Sequence, residues 1–359
     1  MPKPKPTKVP TSGAIDRDIL RRLPKAELHC HLDGSVRPQT LLDLGLEHSV
    51  AMPRDSAAAL ADYMHVTDAR HLEDYLKRFE VTLSVMQTAP ALERIAFELA
   101  EDVASEGVRY VEIRFAPVLN LRGGLTVDEV VEASVRGLER AKAQHGVTGR
   151  VIVTALRNHT PSESMELAEL AVAYQDRGVV GFDLAGGEAG HPASAHSAAF
   201  AHARRHDLAC TCHAGEGDGA GSVREAVHEC GAHRIGHATR LFEDESLTQY
   251  VNDRRIALEI CLTSNVQTRV AASYEAHPFR TYYDRGLNVV LNTDNRLMSG
   301  VNLTDEYEHA SRHLGFTFDE LCEVSLNGFA SAFVSWEERE KMTADAMREM
   351  DKLRREVSR

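Results

Sequence analysis

The chain has 359 residues, 41 of them basic and 54 acidic, for a formal net charge of −13. An acidic surface argues against a polyanionic partner such as nucleic acid, because phosphate contacts need a lysine and arginine footprint. A hydrophobic content of 43% excludes a disordered chain, and no apolar run approaches the roughly 18 residues of a membrane span.

The sequence opens on MPKPKPTKVPTSG, which is basic, proline-rich and without an apolar stretch. Residues 1–13 therefore read as a disordered tail and not as a secretory signal, and residues 14–359 as a single domain. Eight short runs rich in Val, Ile and Leu read as strands: 26–31, 108–115, 150–156, 179–185, 208–214, 233–238, 255–262 and 287–294. Helical spacing lies between them, most clearly at 90–106, 126–144, 161–177, 192–206 and 220–231. Pro90, Pro161 and Pro192 fit first turns, and Gly107, Gly178 and Gly231 fit helix ends. Strand alternating with helix over this length predicts βαβ units, and eight units predict an α/β fold closed into a (β/α)8 TIM barrel. The interval 32–107 is too long for one crossover. It predicts additional helices over one mouth of the barrel, among them 71–87, where Leu72, Tyr75, Leu76, Phe79 and Leu83 form an apolar stripe. The segment 302–359 reads as further helices, the last at 336–358.

The six cysteines, at 30, 210, 212, 230, 261 and 322, include no C-x-x-C pair. Several sit in apolar runs, which predicts buried free thiols in a reducing, cytoplasmic compartment. Glu112 and Arg114 fall on alternate positions of the second strand, where buried charge must be paired; they read as a structural ion pair. Glu188 and His191 follow the fourth strand on the side where a barrel places its active site.

Four segments carry chemistry. His29 and His31 alternate along the first strand, so both face the barrel interior. His213 ends the fifth run, with Glu216 three residues on in a glycine-rich turn. His237 ends the sixth run and Asp294 the eighth. Side chains at the C-terminal ends of different barrel strands converge on one mouth. Imidazoles and a carboxylate with one position left for water make a catalytic zinc set and not a closed structural one. On this reading alone, His237 counts among the candidate ligands. Many two-metal barrel hydrolases bridge their metals with a carboxylated lysine from the fourth strand. Here no lysine lies between Lys142 and Lys341, so one divalent metal, Zn2+, is expected.

The segments PKAELHCHLDGSVRPQTL (24–41), VVGFDLAGGE (179–188), CHAGEGD (212–218), RIGHA (234–238) and LNTDNRLMSG (291–300), in this order, resemble the adenosine deaminase family of metal-dependent amidohydrolases. The resemblance implies that His29, His31, His213 and Asp294 hold the metal and that Glu216 protonates purine N1. It moves His237 from ligand to the residue that orients the attacking hydroxide. Gly186 matches the backbone donor to purine N3, and Asp33 the residue that holds the ribose 5′-hydroxyl. Adenine deaminases of the superfamily tend to carry a glutamate at that position. The implied ligand is a small-molecule purine nucleoside, with neither nucleic acid nor membrane as partner. Asn295 departs from the family pattern, which has a second aspartate beside purine N7. An amide always has an N–H to offer that acceptor, whereas a carboxyl must first be protonated. Arg296 also departs, standing where a proline is common. Cytidine-type zinc deaminases carry a P-C-x-x-C signature that this chain lacks.

Overall fold

The computed structural model describes residues 15–66 and 78–357. The expected tail at 1–13 and the part of the 71–87 helix before residue 78 lie outside the described residues, Leu72, Tyr75 and Leu76 among them. Within the remainder of that stretch, Phe79–Leu83 is helical.

Eight parallel strands follow one another in sequence order around the sheet: β1 Lys25–His31, β2 Val108–Phe115, β3 Thr148–Leu156, β4 Val179–Ala185, β5 Ala209–Ala214, β6 Arg234–His237, β7 Ala257–Ile260 and β8 Val289–Leu291. This is the TIM barrel expected from the sequence. Closure between the last and first strands comes from the segment just past β8. The Asp294 N–H donates to His29 O (2.9 Å) and the His31 N–H to Asp294 O (2.8 Å), while Asn292 Oδ1 accepts from the Leu28 N–H (2.9 Å).

Between strands, local chemistry sets the helix limits. Thr126 and Thr160 form capping boxes with Glu129 and Glu163 at the starts of helices Val127–His145 and Pro161–Ala173, each satisfying otherwise orphaned amide donors. Gly146 ends the first of these in the left-handed region, φ 74°, where glycine costs little. The expected helix at 192–206 divides into a 3-10 turn, Ala193–His196, and an α-helix, Ser197–Arg205. At the C-terminus, the charged helix Trp336–Val357 buries only Ala346, Met350 and Leu353.

Strand pairing is uneven, and this shapes the mouth. β3 and β4 pair as far as Leu156↔Ala185, with one register shift between Val151 and Ile152. β4 and β5 pair only at Gly181↔Ala209 and Phe182↔Cys210. Beyond that point Arg157 on the β3 side donates to His213 O (2.7 Å) and His191 O (2.6 Å), tying the free ends of the wall together. No helix among the described residues is long and apolar enough to cross a membrane. All six cysteines are buried and unpaired in disulfides.

The barrel interior below the mouth is charged. Glu112 and Arg114 do not pair with each other. Two residues apart along one strand, they reach different neighbours across the barrel. Arg114 bonds Asp183 of β4 (3.4 Å) and Glu259 of β7 (2.9 Å), and Glu112 pairs with Arg234 of β6. Arg234 in turn reaches Glu259 (2.6 Å). Every member is buried, so each charge depends on its partners to offset the cost of leaving water. Glu259→Ala removes one of two carboxylate partners from each of two buried guanidinium groups, leaving Arg114 with Asp183 and Arg234 with Glu112. The expected result is a loss of about 3–5 kcal/mol of unfolding free energy in urea titration; a loss below about 1 kcal/mol would mean that the network does not stabilise the barrel.

Candidate active site

The mouth of the barrel opens on a cavity of about 440 Å³ whose lining includes His31, Asp33, Gly186, His213, Glu216, His237, Asp294 and Asn295. His29 lies beneath, with no exposed surface. The structure thus gathers the candidate metal, catalytic and substrate-contact residues at one mouth of the barrel. One donor atom from each of His29, His213, His237 and Asp294 lies within 4.8 Å of the others. His31 Nε2 joins them, 3.1 Å from His213 Nε2 and 3.4 Å from Asp294 Oδ1.

Which nitrogens carry lone pairs follows from their outer partners. His29 Nδ1 donates to Glu259 Oε2 (2.8 Å), and His213 Nδ1 to Asp183 Oδ1 (3.2 Å). Both carboxylates sit well below the usual carboxylate range: burial opposes their charge, but Arg114 and the two imidazoles more than offset it. In the neutral ring a carboxylate holding Nδ1–H leaves Nε2 as a lone pair aimed inward, the arrangement common to metal-bound histidine; for His29, burial and Arg114 oppose the charged form but Asp294 and Glu259 outweigh them and raise its value. Burial also presses His31 and His213 below the ordinary histidine value, keeping them in the neutral, ligating form.

His237 carries the opposite tautomer, and a chain of three groups sets it. The Phe279 backbone N–H can only donate, so His277 Nδ1 accepts it (3.1 Å). Burial pushes His277 down to about 3, so its neutral ring bears the proton on Nε2. That N–H donates to Asn265 Oδ1 (3.1 Å), which also accepts from Thr239 Oγ1 (2.9 Å). The Asn265 amide is thereby oriented with Nδ2 toward His237 Nδ1 (3.0 Å). With Nδ1 accepting, His237 presents Nε2–H to the cavity, 3.4 Å from Glu216 Oε2. It offers a proton where His29 and His213 offer lone pairs.

Asp294 adopts φ 61° and His237 φ 64°, both in the left-handed region that non-glycine residues seldom enter. The backbone bonds of Asp294 to His29 and His31 on the neighbouring strand β1 hold its backbone there. Asp294 Oδ2 accepts from Ser264 Oγ (2.6 Å), while Oδ1 faces the histidines. His29 Nε2 and Asp294 Oδ1 are fully buried with no hydrogen-bond partner. Buried polar atoms rarely lack one, and a cation between them supplies it. Three imidazole lone pairs and a carboxylate oxygen fit one divalent metal.

Around this centre, Asp33 Oδ1 and Asn295 Oδ1 are also buried and unpaired. Burial raises the Asp33 carboxyl to about 7. A Cβ on Gly34 would lie 1.9 Å from Asn295 Oδ1, so only glycine there leaves room for the asparagine. Arg296 turns away from the cavity to pair with Glu106. Its departure from the family pattern therefore leaves the site unchanged. Phe79 and Leu83 of the sequence-predicted apolar stripe line the cavity.

Sequence reasoning missed Asp183, Glu259, Ser264, Asn265 and His277 as supports of the site. The signal for the first two was present: a lone carboxylate inside an apolar strand must have a buried partner. Nothing local in the sequence joins the other three.

Comparison with known proteins agrees with this geometry. The adenosine deaminase family model matches residues 24–349. "Adenosine deaminase 1" of Streptomyces coelicolor is 42% identical over 349 residues, covering 92% of this chain and 88% of that protein. A probable adenosine deaminase of Dictyostelium discoideum is 40% identical over 321 residues, spanning 89% of this chain but 42% of its own length. Among solved structures, an amidohydrolase from Burkholderia ambifaria with bound zinc superposes at TM-score 0.88 with 27% identity, covering 98% of this chain and 97% of that one. The chain belongs to the adenosine deaminase family.

Proposed function

We infer that the protein is an adenosine deaminase: it converts adenosine or 2′-deoxyadenosine and water to inosine or 2′-deoxyinosine and ammonia. The observation that carries this reading is the convergence of the side chains of His29, His31, His213 and Asp294 beside the Glu216 carboxyl and the His237 Nε2–H. A non-catalytic binding barrel has no need of that complete set.

His29, His31, His213 and Asp294 would hold one zinc ion, which supplies a water with its pKa lowered toward about 7. The remaining work belongs to the chain. Asp294 and His237 orient the attacking oxygen at purine C6. As it adds, electrons move toward N1, and Glu216 delivers a proton there, placing a donor where charge develops. Collapse of the C6 adduct breaks the C–N bond and releases the amino group as ammonia. The Gly186 N–H faces purine N3. The Asn295 amide donates to N7, an arrangement that needs no protonated carboxyl. Asp33 Oδ1, buried and unpaired, accepts from the ribose 5′-hydroxyl.

The cavity lining holds Asp33, Glu80, Glu216 and Asp294 but no lysine or arginine among the described residues. A nucleoside suits it; a 5′-phosphate would meet Asp33 with no cation beside it, and free adenine would leave Asp33 unpaired. Buried free thiols support a reducing, cytoplasmic setting. A substrate panel read by ultraviolet absorbance tests the assignment. Adenosine and 2′-deoxyadenosine are expected to exceed both AMP and adenine in kcat/KM by on the order of 100-fold or more, the scale of leaving buried polar groups mismatched. A preference for AMP or adenine would overturn the nucleoside reading.

A further inference from the structure

Glu188 lies three residues past β4, only 3% exposed, and its carboxylate grips the next loop. Oε1 accepts from the Gly215 N–H (2.6 Å), and Oε2 from the N–H groups of Glu216 (3.0 Å) and Gly217 (2.6 Å). Three successive amides thus point at one side chain. The turn they belong to is tight: Gly215 has φ 76°, and a Cβ there would lie 2.7 Å from Val223 Cγ2. A carboxylate suits this nest because both its oxygens only accept, and charge-assisted bonds of this kind are the strong ones.

We propose that Glu188 is a positioning residue that aims Glu216 at the purine, and that it ties this aim to the loop on which the base rests. Glu188 stands two residues from Gly186, which lines the cavity at φ 97°. The loop that meets the N3 edge of the base therefore also fixes the turn carrying the proton donor for N1. A base seated at Gly186 and a correctly aimed Glu216 become one arrangement. Nothing in this role requires Glu188 to touch substrate or metal. The proposal rests on the deaminase reading above.

The test is a double-mutant cycle with adenosine as substrate. Glu188→Gln keeps the shape but turns one accepting oxygen into an N–H group that opposes a backbone N–H. Expected is a fall in kcat of about 10- to 100-fold, the scale of a misplacement near 1 Å, with KM and zinc content held close to wild type and a lowered Tm that stays above the assay temperature, since one buried amide loses its acceptor. Affinity for 1-deazaadenosine, which has no N1 to protonate, stays unchanged. In a Glu216→Gln background, Glu188→Gln costs nothing further, because the group it aims is already gone. Glu188→Asp, one methylene short but still charged, falls between the two and serves if the glutamine variant misfolds. Multiplying losses in the double variant, wild-type kcat in Glu188→Gln, or weakened 1-deazaadenosine binding would each overturn the proposal. Wild-type protein that releases no ammonia from adenosine would overturn the deaminase reading and the catalytic role of Glu188 together. Normal wild-type turnover with additive variants would overturn the role of Glu188 alone.

Discussion

Replacing Glu216 by glutamine is expected to lower kcat on the order of 10³-fold, within the range that a positioned proton donor contributes, while metal content stays at the wild-type level. The side chain is almost fully buried and shares the cavity with the converging ligands, its Oε2 3.4 Å from His237 Nε2. Glutamine fills the same space and can still hydrogen-bond N1, so binding of the base survives. What it cannot do is release a proton. The loss therefore falls on kcat and much less on KM, as for an interaction completed only in the transition state. A variant with normal kcat and normal metal content would remove Glu216 from the role of proton donor. A variant that loses its metal would instead make Glu216 part of the metal's support.

Legibility in the sequence varied along the barrel for physical reasons. β2 and β4 begin and end where their apolar runs do, since turn residues bound both. β6, β7 and β8 are shorter than their runs. The chain turns out of the strand at the residues that matter, with His237, the last residue of β6, and Asp294, past β8, in the left-handed region. No pattern of apolar and polar residues announces that conformation in a histidine or an aspartate. His29 and His31 were legible because period-two alternation fixes their common face. Their supports were harder to see. Asp183 and Glu259 sit inside strands whose other residues are apolar, and only a demand for buried partners would have drawn them out. The tautomer of His237 depends on Asn265, His277 and the Phe279 amide, which lie beyond β7, the first inside helix Leu262–Gln267 and the last at the start of helix Phe279–Asp284. That relay is a property of the folded chain, and it explains how a fourth histidine in the cluster can serve as donor while three serve as ligands. Arg296, a departure from the family pattern when read as sequence, proved remote from the cavity, because its neighbour Glu106 takes its charge.

Removing the metal is expected to have the largest effect of all, abolishing turnover and lowering stability. His29 Nε2 and Asp294 Oδ1 have no hydrogen-bond partner, so stripping leaves buried polar groups that only the surrounding dipoles and imidazoles offset. A metal that binds only the folded state stabilises it by about 4 kcal/mol when present at 1,000 times its Kd; a lower Tm in chelator, restored by zinc, is the expected sign. Stripping should be easier at lower pH, because the ligating imidazoles must be neutral to bind. The most direct measurement is ammonia release from adenosine by the stripped protein during titration with Zn2+, with bound metal counted on the same samples. The structure predicts no release from stripped protein, recovery in proportion to zinc bound, and saturation at one ion per chain. Full release from metal-free protein, or recovery that requires two ions per chain, would contradict a single metal held by His29, His31, His213 and Asp294.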